Sequence, residues 1–232
     1  MTQDRCSPKT VVRGHDERDP QKPWQEYQRA LERKKYEVQR MMEAHQDKYD
    51  PVVMRLNYYQ SDPNPKVILS LRKAIDQEDP QRLALVGDLK RKTPSGSPTD
   101  REVLSFVDPG DVALKMAELG FDAVFVNCDG PSYGGSYRDL DIVSKRLKKA
   151  FDFNQRPAII AKDIFIHPVQ VAMAAEMGAD GVILNAGVLG QDLSGMMEAC
   201  GVMGLEAVVE CHSYMDVEMA KQNVATTVLV GL

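Results

Sequence analysis

The 232-residue sequence has no CxxC pair and no Cys/His spacing of the kind that holds zinc; Cys6, Cys128, Cys200 and Cys211 stand apart from one another. This excludes a disulfide scaffold built on close pairs and points to reduced thiols in an intracellular compartment. No stretch approaches the roughly 20 apolar residues of a membrane helix, and the N-terminus has no apolar signal core. A soluble protein of the cytoplasm or plastid stroma, without membrane insertion, is expected. An excess of positive charge is also missing. The net charge is −5 with both signs interspersed, which excludes nucleic acid as a default partner. Finally, no GxGxxG follows the first strand-like run, which argues against a dinucleotide-binding sheet.

What is present begins with apolar content of 43%, enough to bury a substantial core. Residues 1–23 are charged and proline-rich and read as a flexible tail. From Trp24, apolar positions Tyr27, Leu31, Val38, Met42 and His45 recur among charges at helical spacing, predicting a helix that ends near Tyr49-Asp50-Pro51. Val67, Ile68, Leu71 and Ile75 predict a second, shorter helix. Residues 24–80 are therefore expected to be a helical extension, either a cover or a separate interaction module.

From Leu83 the pattern alternates. Strands are expected at Leu83–Leu89, Ala123–Asn127, Ala158–Ala161, Gly181–Leu184, Ala207–Val209 and Thr227–Val230. Helical patterns lie between them, around Val112–Leu119, Leu140–Phe151, Pro168–Met177, Leu193–Met203 and Met215–Gln222. The joints repeat as Gly120-Phe121-Asp122, Gly178-Ala179-Asp180 and Gly204-Leu205-Glu206, each a glycine, then one residue, then an acid before an apolar strand. A glycine at that point suits a left-handed helix cap. Repetition of this joint predicts a (β/α)8 TIM-barrel type fold over residues 81–232, with about six βα units present and the last two strands lacking.

Barrel sites form where strands end, so the polar residue after each apolar run is the candidate. These are Asp88 with Lys90, Asn127, Lys162 with Asp163, Asn185, and Glu210 with His212. Lysines and carboxylates converging on one mouth suit acid–base chemistry on an anionic substrate; the alternative is a rim of charges pairing with one another. His167 beside Pro168 reads as a helix cap, Met196, Met197 and Met203 as packing, and Cys211 as an inert thiol facing away from the lumen.

The run Asp88-Leu89-Lys90-Arg91-Lys92-Thr93-Pro94-Ser95-Gly96 resembles the Glu-x-Lys-x-x-Ser-Pro-Ser signature of the indole-3-glycerol-phosphate synthase family. Gly135-Ser136, Lys162-Asp163 with Gln170, Gly178-Ala179-Asp180 and Val209-Glu210-Cys211-His212 are similar to that family's Gly-Ser, Lys-Asp-Phe…Gln, Gly-Ala-Asp and Val-Glu-Val-His, in the same order. Lys35-Tyr36-Glu37-Val38 is similar to its N-terminal extension, so the resemblance covers residues 24–232.

The resemblance implies a carbon–carbon lyase of tryptophan biosynthesis. It closes 1-(2-carboxyphenylamino)-1-deoxyribulose 5-phosphate into an indole with loss of carbon dioxide and water, using no cofactor or metal. It implies Lys162 as acid, Glu210 as base, Lys90 as the contact to the substrate carboxylate and second acid, and Asp88 as their orienting group. Thr93 and Ser95 would lie on the phosphate side, with Tyr133, Asn127, Ile164 and Asn185 around the substrate.

Several positions depart from the family pattern. Asp88 replaces glutamate. Phe125-Val126-Asn127-Cys128 stands for Ser-Val-Leu-Thr, Ile164 for an aromatic, Asn185 for an isoleucine, and Tyr133 for a phenylalanine. A less apolar pocket is expected. The chain also stops before the family's Asn-x-Arg and its last phosphate-binding loops. The rival expectation is a non-catalytic, barrel-derived assembly subunit docking a protein partner on an open barrel edge. A third is another phosphosugar barrel enzyme of the same pathway, such as the preceding isomerase.

Overall fold

A computed structural model describes residues 22–59, 70–76, 82–93, 103 and 105–231. Of the tail expected at 1–23, residues 1–21 lie outside the described residues and 22–23 are helical; part of the expected helix beginning at Val67 also lies outside them.

Among the described residues three helices precede the first strand: α1 (Lys22–Ala44), α2 (Pro51–Tyr59) and α3 (Ser70–Ile75). The helix α2 was not expected. Its signal is Asp50-Pro51, read as the end of a helix when it is the beginning of one: Asp50 Oδ1 accepts from Val52 N at 2.8 Å and proline takes the first helical position. The inward face of α1 also differs by one step from expectation. Lys34 and Val38 are buried and Met41 packs inward, whereas Met42 is 46% exposed.

The remainder alternates β1 (Val86–Leu89), α4 (Pro109–Glu118), β2 (Ala123–Asn127), α5 (Gly130–Tyr133), α6 (Tyr137–Ala150), β3 (Ala158–Lys162), α7 (Pro168–Glu176), β4 (Gly181–Asn185), α8 (Ala186–Leu189), α9 (Leu193–Val202), β5 (Glu206–Cys211), α10 (Tyr214–Gln222) and β6 (Thr227–Val230). Among the described residues the six strands form one sheet in sequential order, every neighbouring pair parallel. This is the arrangement of a (β/α)8 barrel through its sixth strand, with β1 and β6 as its edges. β1 is shorter than expected, because Leu83 and Leu85 are exposed ahead of it, at 84% and 47%.

Strand alternation divides the core in two. Val124, Val126, Ile159, Ala161, Val182, Leu184 and Val209 face the helix layer. Ala123, Phe125, Ala158, Ile160, Ile183 and Val208 face the lumen, where Leu71 of α3 joins them. Cys211 lies in the outer layer, and burial raises its thiol pKa, so it is held as an unreactive thiol.

The glycines of the three repeated joints have φ of 82°, 84° and 76°. Their acids differ in use. Asp122 Oδ2 accepts from Leu85 N and Asp180 Oδ2 from Ile159 N, both at 2.8 Å, so each fixes the entry of the preceding strand. Glu206 instead starts β5 and is fully buried. Its carboxylate accepts from Leu71 N at 2.8 Å, Arg72 N at 3.1 Å and Thr227 Oγ1 at 2.7 Å, which seats α3 across the bottom of the barrel. On the outside, α1 and α2 pack against α7. No helix among the described residues is long and apolar enough to cross a membrane.

Candidate active site

The lumen-facing alternation of each strand carries a polar residue to its C-terminal end. Asn127 and Lys162 are register partners on β2 and β3, and Asn185 and Glu210 on β4 and β5. Asp88 occupies the lumen face of β1 opposite Phe125. These side chains share one face of the sheet at one end, which is where the sequence placed them.

Two pairs link the group. Asp88 Oδ2 accepts from Lys90 Nζ at 2.8 Å, and Asp88 Oδ1 accepts from Asn127 Nδ2 at 2.7 Å. Across the mouth, Glu210 Oε2 accepts from Asn185 Nδ2 at 3.3 Å, with His212 Nε2 at 3.6 Å. Among the described residues no hydrogen bond or ion pair holds the half-buried Lys162 ammonium. Tyr133 feels both carboxylates: burial raises its phenol pKa, and the charges of Glu210, Asp88 and Asp129 add to the effect.

Asn127 is only 1% exposed. Its Nδ2 donates to Asp88 Oδ1 and to Leu89 O, the latter at 3.1 Å. Reversing the amide would oppose its oxygen to a carboxylate and a carbonyl, so the orientation is chemically fixed. Its Oδ1 is buried without a partner among the described residues. Gly135 is what lets the loop after α5 close on this strand end, since a Cβ there would lie 1.8 Å from Asn127 O.

Thr93 is half-buried at the end of the described β1 loop, and Ser95 lies outside the described residues. Ile164 is half-buried two residues beyond Lys162, its N–H donating to Asp163 Oδ1 at 2.7 Å. His167 caps α7, its Nδ1 accepting from Val169 N at 3.1 Å. Gln170 is fully buried and stitches the loop before it, accepting from Ile166 N at 2.8 Å and His167 N at 3.1 Å while donating to Ile164 O at 2.9 Å. Among the described residues no three His, Cys, Asp or Glu side chains gather as a metal site.

The residue that sequence reasoning passed over is Lys34. It is 3% exposed on α1, and its Nζ is 2.7 Å from each of Asp129, Asp163 and Glu37. Burial opposes its charge, but Asp163, Asp129 and Glu37 outweigh that and hold its pKa above the ordinary lysine value. For Asp129, likewise, burial is outweighed by Lys34 and Ser132, and the pKa falls. Asp163 Oδ2 also accepts from Tyr137 OH at 3.0 Å.

The family model described as indole-3-glycerol phosphate synthase matches residues 27–232. A curated indole-3-glycerol phosphate synthase of Opitutus terrae is 30% identical over 141 residues, 60% of this chain and 50% of that one. That of Desulfosudis oleivorans is 31% identical over 149 residues, 64% of this chain and 51% of that one. The chain thus spans about half the length of the curated relatives it matches. Among solved structures, a Schiff-base-forming fructose-1,6-bisphosphate aldolase aligns at 18% identity with a TM-score of 0.42, over 68% of this chain and 67% of that one. With six parallel strands in barrel order and a match over nearly all of the described sequence, the chain belongs to the indole-3-glycerol phosphate synthase family.

Proposed function

We propose that the protein is a lyase that closes 1-(2-carboxyphenylamino)-1-deoxyribulose 5-phosphate into an indole, a phosphosugar reaction of tryptophan biosynthesis. The observation that carries this reading is a lysine without an ionic partner among the described residues and a carboxylate flanked by the Asn185 amide and His212, presented on one lumen face at the ends of β3 and β5.

In this reading the ring carbon bearing the carboxylate bonds to the sugar carbonyl carbon, and the carbonyl oxygen takes a proton from Lys162. The carboxylate then leaves as carbon dioxide, and its bonding electrons restore the aromatic ring. The new hydroxyl leaves as water with a proton supplied by Lys90, while Glu210 removes the proton whose loss forms the double bond of the already closed five-membered ring. Asp88 supports the Lys90 role, since its two oxygens bind Lys90 and Asn127 separately. Thr93 and Ser95 serve the phosphate side, with Tyr133, Asn127, Ile164 and Asn185 around the rest of the substrate.

The test is fluorimetric. Full-length protein incubated with the substrate is expected to generate indole fluorescence with stoichiometric carbon dioxide release. A folded full-length protein that forms neither product would refute this reading and favour a docking role for the barrel edge.

A further inference from the structure

The backbone ladder between β2 and β3 ends with Cys128 N donating to Lys162 O at 2.8 Å. Immediately beyond it, Asp129 and Asp163 leave the two strands, and both carboxylates are fully or almost fully buried, at 0% and 1% side-chain exposure. The Lys34 ammonium is 2.7 Å from each. One side chain of α1 therefore joins the two strand tips where their own hydrogen bonding stops. These tips carry Asn127 and Lys162 into the lumen.

Asp163 is adjacent to Lys162 and points the other way, toward Lys34 of α1, Tyr137 of α6 and Gln170 of α7. A residue fixed by partners on three helices fixes the backbone on which the neighbouring lysine is mounted. Beside the clamp a cleft of about 260 Å³ opens, lined by Glu37, Val38, Met41, Cys128, Tyr137 and Gln170, so the packing of Val38 and Met41 covers only part of the space between α1 and the tips. The three ion contacts of Lys34 therefore add to that packing in fixing the spacing.

We propose that Lys34 is a positioning residue for Lys162, clamping the tips of β2 and β3 through Asp129 and Asp163. It touches no reacting atom. Its consequence for turnover rests on the ring-closing reading above; its consequence for the Lys162 side chain does not.

The experiment uses full-length protein with its lysines reductively dimethylated with carbon-13, the Lys162 signal being identified by its loss in Lys162→Arg. In Lys34→Met that signal is expected to shift. For turnover, kcat falls about tenfold to a hundredfold with KM within about twofold, as a misplacement near one ångström does. Lys34→Arg restores most of both. Should Lys34→Met not fold, because two buried carboxylates lose their shared cation and, among the described residues, Asp129 keeps only the Arg33 cation at 3.4 Å, the combination Lys34→Met, Asp129→Asn, Asp163→Asn removes clamp and charges together and carries the same readout. A folded variant whose Lys162 signal matches the wild type overturns the proposal, whatever its turnover. Absence of ring closure in the wild type would count against the proposed reaction alone, with the Lys162 signal still deciding the clamp.

Discussion

The Asn127 side-chain nitrogen lies 2.7 Å from Asp88 Oδ1, so an amide at the tip of β2 holds the carboxylate that in turn holds Lys90. Replacing Asn127 by leucine, the residue type of the family pattern, removes that donor and the buried unpaired Oδ1 together. A hydrogen bond to a charged group contributes roughly 1.5–3 kcal/mol. The expected outcome is a loss in kcat/KM of about tenfold to a hundredfold, with little change in unfolding free energy, measured by steady-state kinetics and denaturant titration.

Gly135→Ala is expected to be far more damaging than a surface glycine substitution. Its methyl would occupy space 1.8 Å from the Asn127 carbonyl oxygen and 2.6 Å from its carbon, both of them backbone. Neither can rotate away, so the loop or the strand end must shift. Destabilisation of about 3 kcal/mol is expected from denaturant unfolding, the upper part of the usual overpacking range.

His167 gives the fold a pH dependence of known sign. Burial lowers its pKa below the ordinary value, and its Nδ1 must be unprotonated to accept from Val169 N. The unfolded chain therefore binds the proton more readily than the native one. The cap's contribution is present above about pH 6.5, the usual histidine value, and is lost as pH falls through the lower native pKa. His167→Ser keeps an N-cap acceptor that does not titrate. The stability difference between wild type and His167→Ser should shift against the wild type by up to about 1 kcal/mol between pH 7.5 and 5, measured by unfolding at each pH.

The joint between α10 and β6 lacks the glycine carried by the three repeated joints. Val224 adopts φ 55°, a left-handed conformation unfavourable for a β-branched residue, and is 79% exposed. Val224→Gly is expected to stabilise the protein by about 1 kcal/mol, the relief of left-handed strain less the extra entropy of glycine. Thermal unfolding should show a Tm higher by roughly 2–4 °C.

Much of the barrel is legible in the sequence because its signals are local. A glycine–x–acid joint and a short apolar run are properties of about ten neighbouring residues, and all six strands appear where those runs lie, with ends moved by one to three residues at β1, β3, β4 and β5. The lumen-facing positions of Asn127, Lys162, Asn185 and Glu210 follow from strand alternation alone. What escaped was decided elsewhere. The α5 and α8 segments are four residues each, too short to show a period. Lys34 lies in Arg33-Lys34-Lys35, which reads as a solvated helix face; only the fold brings Asp129 and Asp163 to it. The unpaired Oδ1 of Asn127 is likewise a property of the assembled strand ends.

The central claim, that Lys162 serves as the acid in ring closure, is tested most directly by single-turnover indole formation in full-length wild type and Lys162→Ala, with substrate binding measured in parallel. General acid catalysis typically contributes about 10²–10⁴-fold, so the chemical step should slow by that factor while substrate is still bound. An unchanged rate of indole formation in Lys162→Ala would contradict the account.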